Sequence, residues 1–220
     1  MSAPSTSATT SRRPHPMTRT TRASRTVANV VGALGAAYFV RSGYQYFRAT
    51  HSPIGAAFLV EQVWIVAAYL VRRPAVRVSS RARDWIFAFI GTFGGVLLRP
   101  LGAHPHWGVV AGSLLQASGL AICVISFVAL GRSFGFCAAD RGLRCSGPYA
   151  VVRHPLYGAY VLLQLGYVLQ SVSWRNVAVM TMVSGCNVGR ILAEERLLLQ
   201  GAQYAHYRRR VRWRVLPGLW

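Results

Sequence analysis

The sequence predicts an all-α, polytopic membrane protein of about six helices. Of the 220 residues, 53% are hydrophobic and only 14% are charged, whereas about a quarter of the residues in a soluble domain carry charge. The mean hydropathy of +0.32 agrees with this bias. Six apolar runs follow one another along the chain, and arginine-rich loops separate most of them. Because about 20 apolar residues cross a ~30 Å hydrocarbon core as one helix, these runs predict membrane spans.

The first predicted element is a tail, residues 1–26, which is rich in Ser, Thr, Pro and Arg and contains no acidic residue. We expect it to be disordered because this composition cannot bury a core; a transit peptide is the alternative. The runs that follow are Val27–Phe47, Ile54–Val71, Trp85–Leu101, Trp107–Leu130, Leu156–Gln170 and Val177–Leu192. The fourth run has no charge and is the clearest span. The last two are short and predict a hairpin that barely spans, so five crossings with a re-entrant element are the alternative topology.

Small and aromatic residues mark where these helices pack and end. Glycines in the third and fourth runs predict close approach between helices. They are Gly91, Gly94, Gly95, Gly112 and Gly119. Trp85, Trp107 and Trp174 stand at the ends of runs, as residues of an interfacial aromatic belt do.

The distribution of arginine predicts the orientation in the membrane. The net charge is +20, and every basic side chain is Arg. If all six runs cross, 21 of the 25 Arg residues lie on one side, which is the pattern of cytoplasmic loops. We therefore expect a multi-pass protein with both termini in the cytoplasm. The composition points to a bacterial plasma membrane.

The segment after the fourth run has the residue types of a binding site. Gly131–Leu143 contains three Gly residues and a lone acid, which predicts a loop. Gly147-Pro148-Tyr149 follows as a turn, and Arg153-His154-Pro155-Leu156-Tyr157 leads into the next run. Pro155 favours the first turn of a helix, so we expect His154 immediately before a helix N-terminus. Such a terminus offers free N–H groups that favour a carboxylate or the polar head of a cofactor.

A second polar cluster ends the last run. The chain has five acidic residues, and two of them, Glu194 and Glu195, are adjacent here. Arg190 precedes Glu194 by four positions, so both lie on one helix face. Ionisable residues at the edge of a membrane segment usually mark a functional site, although a helix-stabilising ion pair is the alternative. Tyr204 and Tyr207 are predicted on a cytosolic C-terminal helix.

Taken in order, these motifs resemble those of the isoprenylcysteine carboxyl methyltransferase and phospholipid methyltransferase superfamily of integral membrane enzymes. The ordered set is Gly-Pro-Tyr, Arg-His-Pro-x-Tyr, Arg-x-x-x-Glu-Glu-x-x-Leu and Tyr-x-x-Tyr, followed by Val211 and Pro217. The resemblance covers roughly Gly131–Leu219. We therefore assign residues 27–130 to N-terminal transmembrane helices and residues 131–220 to a catalytic methyltransferase region.

The resemblance implies an enzyme that uses S-adenosyl-L-methionine, bound at the cytosolic face without a Rossmann sheet. The cofactor-binding residues that it implies are Arg141, Gly142, Leu143, Arg144, Tyr149, Arg153, His154, Pro155, Leu156, Tyr157 and Glu194. It also implies that Arg190 binds and orients an acceptor carboxylate, as in the prenylcysteine enzymes. Arg190, Glu194 and His154 are then the expected catalytic residues.

The same residues suit methyl transfer on physical grounds. A carboxylate acceptor is already ionised at pH 7 and needs no general base, so catalysis depends mainly on positioning and desolvation. Arg190 can hold a carboxylate through two hydrogen bonds, and Glu194 can offset the charge of a cationic cofactor. A phospholipid amine or a thiol would first have to lose a proton, and His154 is the nearby candidate base.

Two functions of other classes stay open. A membrane reductase of the sterol type is similar in its C-terminal region but uses NADPH, and a non-catalytic membrane scaffold would bind neither cofactor. The expected partners are the lipid bilayer and a lipophilic small molecule or lipid. We do not expect nucleic acid as a partner, because the arginines do not form one face. We do not expect a metal site either, because the cysteines lack C-x-x-C spacing. The sequence does not predict an oligomeric state.

Overall fold

The computed structural model describes residues 77–99, 105–218 and 220, together with individual positions between 32 and 75. The helices of the continuous part are α1 (Ala82–Phe93), α2 (His106–Leu130), α3 (Pro155–Gln170), α4 (Trp174–Leu198) and α5 (Ala202–Arg210). Short 3-10 turns occupy Gly94–Leu97, Gly131–Ser133 and Gly147–Ala150. Two strands, β1 (Arg77–Val78) and β2 (Ala139–Asp140), pair antiparallel. The described chain is therefore mostly helical, as predicted, with one small ribbon that the sequence did not predict.

The structure describes some of the predicted membrane spans in full and others only in part. The tail 1–26 and much of the first two runs lie outside the described residues, although every described position between 32 and 67 is helical. Among the described residues, one helix is long and apolar enough to cross a membrane, by length and composition alone. It is α2 with its 3-10 extension, His106–Ser133, with 28 residues and a mean hydropathy of 2.1. Six crossings and cytoplasmic termini therefore stay predictions.

The third run forms a shorter α-helix than its apolar length predicts. Helix α1 ends at Phe93, and the chain continues only as the 3-10 turn Gly94–Leu97. Two consecutive glycines, Gly94 and Gly95, begin this turn, and glycine has low helix propensity. A full α-helical span over Trp85–Leu101 is therefore not what these residues form.

The hairpin after the loop has one short and one long helix. Helix α3 has 16 residues, about 24 Å at 1.5 Å per residue, and is short as predicted. Helix α4 begins at Trp174, where Ser173 Oγ accepts a hydrogen bond from the N–H of Asn176 at 3.2 Å, a typical N-cap. It has 25 residues and is longer than the apolar run Val177–Leu192 that predicts it. The apolar run stops at its charged residues, but the helix continues through them.

Helices α2 and α3 approach closely because glycine leaves room between their backbones. A Cβ atom on Gly112 would overlap the carbonyl oxygen of Gly166, and one on Gly119 would lie 3.0 Å from the carbonyl oxygen of Ala159. Phe127 of α2 packs in the same buried cluster as Ala159. These two α2 glycines therefore have the packing role that the sequence predicted.

Helix α1 runs antiparallel to α4. Asp84 at the start of α1 meets Arg196 near the end of α4, with 3.4 Å between Asp84 Oδ2 and Arg196 Nη1. One turn from the end of α1, a Cβ on Gly91 would lie 3.1 Å from Arg190 Cδ. Gly95 differs, because no atom of the described residues lies within 4 Å of the position of its Cβ. The described part of the chain therefore gives Gly95 no packing partner at that position.

The loop between α2 and α3 is held against α1 and α4. Phe136 and Ala138 belong to one buried cluster with Ala88 of α1 and Ala193 of α4. The ribbon of β1 and β2 continues this attachment, since the N–H of Ser79 donates to the carbonyl oxygen of Ala138 at 3.0 Å. The loop predicted over Gly131–Leu143 thus forms a fixed wall beside the cytosolic ends expected for the helices.

Candidate active site

The turn before α3 positions two of the predicted site residues. Gly147 has a φ of +59°, which glycine adopts without steric cost, and the 3-10 turn that it opens buries Tyr149. His154 has a non-helical conformation, φ −134° and ψ 59°, and Pro155 is the first residue of α3. His154 therefore lies at the helix N-terminus, where the sequence placed it.

The last turns of α4 form the opposite side of the site. Arg190 and Glu194 are one turn apart and both border the same cleft. Glu195 is rotated by about 100° from Glu194 around the helix, and only 3% of its surface is exposed. The two adjacent acids therefore have different surroundings.

One cleft brings together all but one of the predicted cofactor and acceptor residues. Its wall includes Arg141, Gly142, Leu143, Arg144, Tyr149, Arg153, His154, Leu156, Tyr157, Arg190 and Glu194. Pro155 is the exception, because it is buried in the first turn of α3 and does not border the cleft. Lining residues to which the sequence gave no site role include Phe134, Gly135, Cys137, Tyr160, Tyr204 and Tyr207. The two tyrosines of α5 were visible as a Tyr-x-x-Tyr motif, but the loop residues had no such signal.

Tyr157 links the two α4 residues of the cleft. Its hydroxyl donates to Glu194 Oε1 at 2.7 Å, and the Cζ atom of Arg190 lies 5.5 Å from the centre of its ring, within cation–π range. The ion pairs formed by the described residues do not join Arg190 to Glu194 directly. The alternative of a simple helix-stabilising pair therefore does not describe this site.

The guanidinium of Arg190 is buried, with 7% of the residue exposed. It donates to Thr92 Oγ1 at 3.1 Å and to the carbonyl oxygen of Phe136 at 2.9 Å. Its Nε has no hydrogen-bond partner within the described structure. A buried cation held by neutral acceptors leaves its charge available to an anion.

His154 lies between the two acids of α4. Its Nδ1 is 3.9 Å from Glu194 Oε2, and its Nε2 is 3.4 Å from Glu195 Oε1. Burial disfavours ionisation of Glu195, but the adjacent His154 and Arg153, the latter through a hydrogen bond as well as its charge, outweigh it and lower the pKa of Glu195 to about 2. Glu195 is therefore ionised at neutral pH, next to the imidazole of His154.

Arg153 is engaged mainly with protein acceptors. Its Nε donates to Glu195 Oε1, and its Nη1 donates to the carbonyl oxygens of Val211 and Arg212, all at 2.8 Å. Its side chain is 4% exposed. This arrangement favours a structural role for Arg153 over the cofactor contact that was expected. Glu195, to which the sequence gave no role, is the centre of this network.

Buried phenols form another wall of the cleft. Tyr207 donates to the carbonyl oxygen of Tyr149 at 2.6 Å, and Tyr204 donates to Glu195 Oε1 at 3.1 Å. Burial raises the pKa of Tyr149, Tyr204 and Tyr207 well above the usual value. These side chains stay neutral at physiological pH, and they offer aromatic surface rather than charge.

A second, more apolar chamber adjoins the cleft. Phe134, Tyr160 and Arg190 border both spaces. The other residues around the chamber include Gly35, Phe39, Gly91, Phe93, Gly95, Phe127, Phe136, Leu163 and Val183. Arg190 is thus the charged residue at the junction between a polar cleft and an apolar space.

The fold and the site together define the class of protein. It is a helical protein with a polar cleft and with one helix, α2, that is long and apolar enough to cross a membrane. Residues 107–204 match the phospholipid methyltransferase family, a stretch that runs from the first turn of α2 to the first turn of α5. This stretch is therefore similar to a family of the isoprenylcysteine carboxyl methyltransferase and phospholipid methyltransferase superfamily, and the predicted resemblance is confirmed over these residues. Comparison with curated proteins gave no match. The family match and the apolar helix indicate a membrane-associated methyltransferase.

Proposed function

We propose that the protein transfers a methyl group from S-adenosylmethionine to the carboxylate of a lipophilic acceptor. The observation that carries this proposal is the position of Arg190 between the cleft and the chamber. An acceptor with an apolar body and an anionic head would fill the chamber with its body and meet the guanidinium with its head. The unpartnered Nε and the neutral ligands of the other nitrogens favour an anion there.

The side chains around the cleft are of the types that would bind S-adenosylmethionine. Glu194 keeps 24% of its side chain exposed, and a carboxylate there can offset a cationic ligand. Tyr149, Tyr204 and Tyr207 offer aromatic surface for an adenine ring. Gly142, with a φ of +94°, carries no side chain that would fill the cleft beside the arginines of the loop. S-adenosylmethionine, when bound, would supply an electrophilic methyl group.

The chain's own residues then have mainly positioning tasks. Arg190 holds the acceptor oxygen in place, and the aromatic ring of Tyr157 holds Arg190 through a cation–π contact. Glu194 is fixed in turn by the Tyr157 hydroxyl. A carboxylate acceptor carries no proton at neutral pH, so no side chain has to act as a base.

A phospholipid amine is the second candidate acceptor, and the family description favours it. An ammonium group must lose a proton before it can be methylated. His154 lies 3.9 Å from Glu194 and is the candidate base. With an amine acceptor, the reacting atom is not an anion that Arg190 could bind. The phosphate group of the same lipid could bind the guanidinium instead.

The deciding experiment is incubation of the purified, membrane-reconstituted protein with labelled S-adenosylmethionine and a lipid extract, followed by mass identification of the product. A methyl ester supports the proposal, whereas a methylated amine or thioether supports the second type of acceptor. Equilibrium binding of S-adenosylhomocysteine and of NADPH is measured in parallel. Binding of NADPH alone would assign the protein to the reductases, and binding of neither would leave a scaffold.

A further inference from the structure

The C-terminal segment Val211–Arg214 lies against the loop that precedes α3. The N–H of Arg153 donates to the carbonyl oxygen of Trp213 at 2.9 Å, and the N–H of His154 donates to that of Arg214 at 2.7 Å. The family match ends at residue 204, so the segment Val211–Arg214 lies beyond the matched stretch, whereas Arg153 and His154 lie within it. Two successive backbone bonds fix His154 directly before the helix N-terminus.

Side chains strengthen the same contact. Arg153 Nη1 bonds the carbonyl oxygens of Val211 and Arg212 at 2.8 Å. Arg214 Nε donates to Glu195 Oε2 at 3.1 Å, and Arg153 Nε donates to Glu195 Oε1 at 2.8 Å. Each oxygen of the buried carboxylate therefore binds one arginine, and the two arginines come from opposite sides of the contact.

The side chain of Arg214 is held by Trp220 as well as by Glu195. Its Cζ atom lies 4.8 Å from the centre of the Trp220 ring, and its side chain is 21% exposed. Arg214 does not border the cleft. It acts on the cleft through Glu195, which lies 3.4 Å from the imidazole of His154.

We propose that Arg214 is a positioning residue for the cofactor cleft. By holding Glu195 Oε2, it keeps Glu195 Oε1 directed at Arg153 and His154, and the segment Val211–Arg214 holds the backbone of the same two residues. Loss of this contact leaves the loop of His154 free to move away from α4 and opens the cofactor wall. This inference rests on the proposed function, since it takes the cleft as the cofactor site.

The test compares Arg214→Ala with Arg212→Ala in the full chain. Arg212 is a matched control because it removes the same charge from the same segment, its side chain is exposed, and its carbonyl bond to Arg153 is kept. We expect Arg214→Ala to raise the dissociation constant of S-adenosylhomocysteine, measured by calorimetric titration, about tenfold. Arg212→Ala should leave it unchanged, and Arg214→Lys should recover most of the loss because it restores a cationic donor to Glu195.

Kinetics separate positioning from a general loss of fold. For Arg214→Ala we expect a raised KM for the cofactor, an unchanged KM for the acceptor and a kcat that recovers at saturating cofactor. A lower kcat with both KM values unchanged, or equal losses in the Arg212 control, would overturn the proposal. If Arg214→Ala does not fold, Arg214→Gln carries the same test, since it removes the positive charge that holds Glu195 but keeps most of the side-chain volume. Failure of the wild-type protein to bind S-adenosylhomocysteine would instead overturn the proposed function on which the inference rests.

Discussion

The hydroxyl of Tyr157 donates to Glu194 Oε1 at 2.7 Å, while its ring supports the guanidinium of Arg190 at 5.5 Å. One side chain of α3 therefore contacts both α4 residues to which a function is proposed. The polar end of Tyr157 acts on the residue proposed for the cofactor, and its aromatic face acts on the residue proposed for the acceptor. The two effects can be separated by substitution.

Tyr157→Phe should weaken cofactor binding while leaving acceptor binding intact. The substitution removes the hydrogen bond to Glu194 but keeps the aromatic ring that Arg190 contacts. A hydrogen bond to a charged group is worth about 1.5–3 kcal/mol, so we expect the affinity for S-adenosylhomocysteine to fall by roughly tenfold or more. Titration calorimetry measures this loss, and the KM of the acceptor is the control. An equal change in both constants would contradict the separation.

The adjacent acids should respond differently to removal of their charge. Glu194→Gln should weaken cofactor binding at little cost in stability, because Glu194 is partly exposed. Glu195→Gln should lower the thermal midpoint, because it leaves the buried Arg153 without its carboxylate, and breaking a buried pair costs about 3–5 kcal/mol. Thermal unfolding in detergent and cofactor titration are measured for both variants. Unchanged cofactor affinity in Glu194→Gln would remove that residue from the site.

The stability that Glu195 contributes should disappear in acid. Glu195 lies beyond the apolar run of α4, and its pKa is lowered from the ordinary 4.5 to about 2. A carboxyl group with a lowered pKa stabilises the fold fully above pH 4.5 and loses that effect as the pH falls towards 2. The gap in thermal midpoint between wild type and Glu195→Gln should therefore narrow over this interval. A gap that stays constant down to about pH 2 would mean that the network does not depend on the charge of Glu195.

Local rules of sequence were sufficient for part of this site. Pro155 marks the first turn of α3 and so places His154 before it. The spacing of Arg190 and Glu194 places both on one helix face, and both border the cleft. These predictions succeed because each depends on residues within about one helical turn of each other.

The role of Glu195 could not be predicted by such rules. Its partner Arg153 is 42 positions away, and its partner Arg214 is 19 positions away, beyond the end of α5. Adjacent acids look equivalent in a sequence, and only the packing of α4 decides which one is buried. For the same reason the sequence gives no sign that the donors of Arg153 meet Glu195 and the C-terminal segment.

Gly95 provides a way to fill the apolar chamber without touching the cleft. It borders the chamber, and no atom of the described residues lies within 4 Å of its Cβ position. Gly95→Leu should therefore lower turnover of a lipophilic acceptor by at least about tenfold through lost volume, with cofactor affinity unchanged. Gly185→Leu is the control, because within the described structure Gly185 also has open space around its Cβ position but does not border the chamber. Equal activity of the two variants would place the acceptor elsewhere.

Arg190→Ala should lower methyl transfer to a carboxylate far more than it lowers cofactor affinity. The guanidinium borders both the cleft and the chamber, and Glu194 is the residue beside it that suits the cofactor. Loss of a charge-assisted contact to an oriented carboxylate costs a few kcal/mol, or roughly a hundredfold in rate. Arg190→Lys should recover only part of this rate, because an ammonium cannot form the paired hydrogen bonds of a guanidinium.

The same variants report on the chemistry of the acceptor. If the reacting group is an amine or a thiol, Arg190 has no anion to orient at that atom, and the rate should fall only slightly in Arg190→Ala. Single-turnover rates with a long-chain carboxylic acid and with phosphatidylethanolamine distinguish the two cases, and S-adenosylhomocysteine titration of each variant checks the cleft. Equal losses in cofactor affinity and in rate would mean that Arg190 serves the cofactor, because a residue that touches only the acceptor leaves the binding of the cofactor alone unchanged.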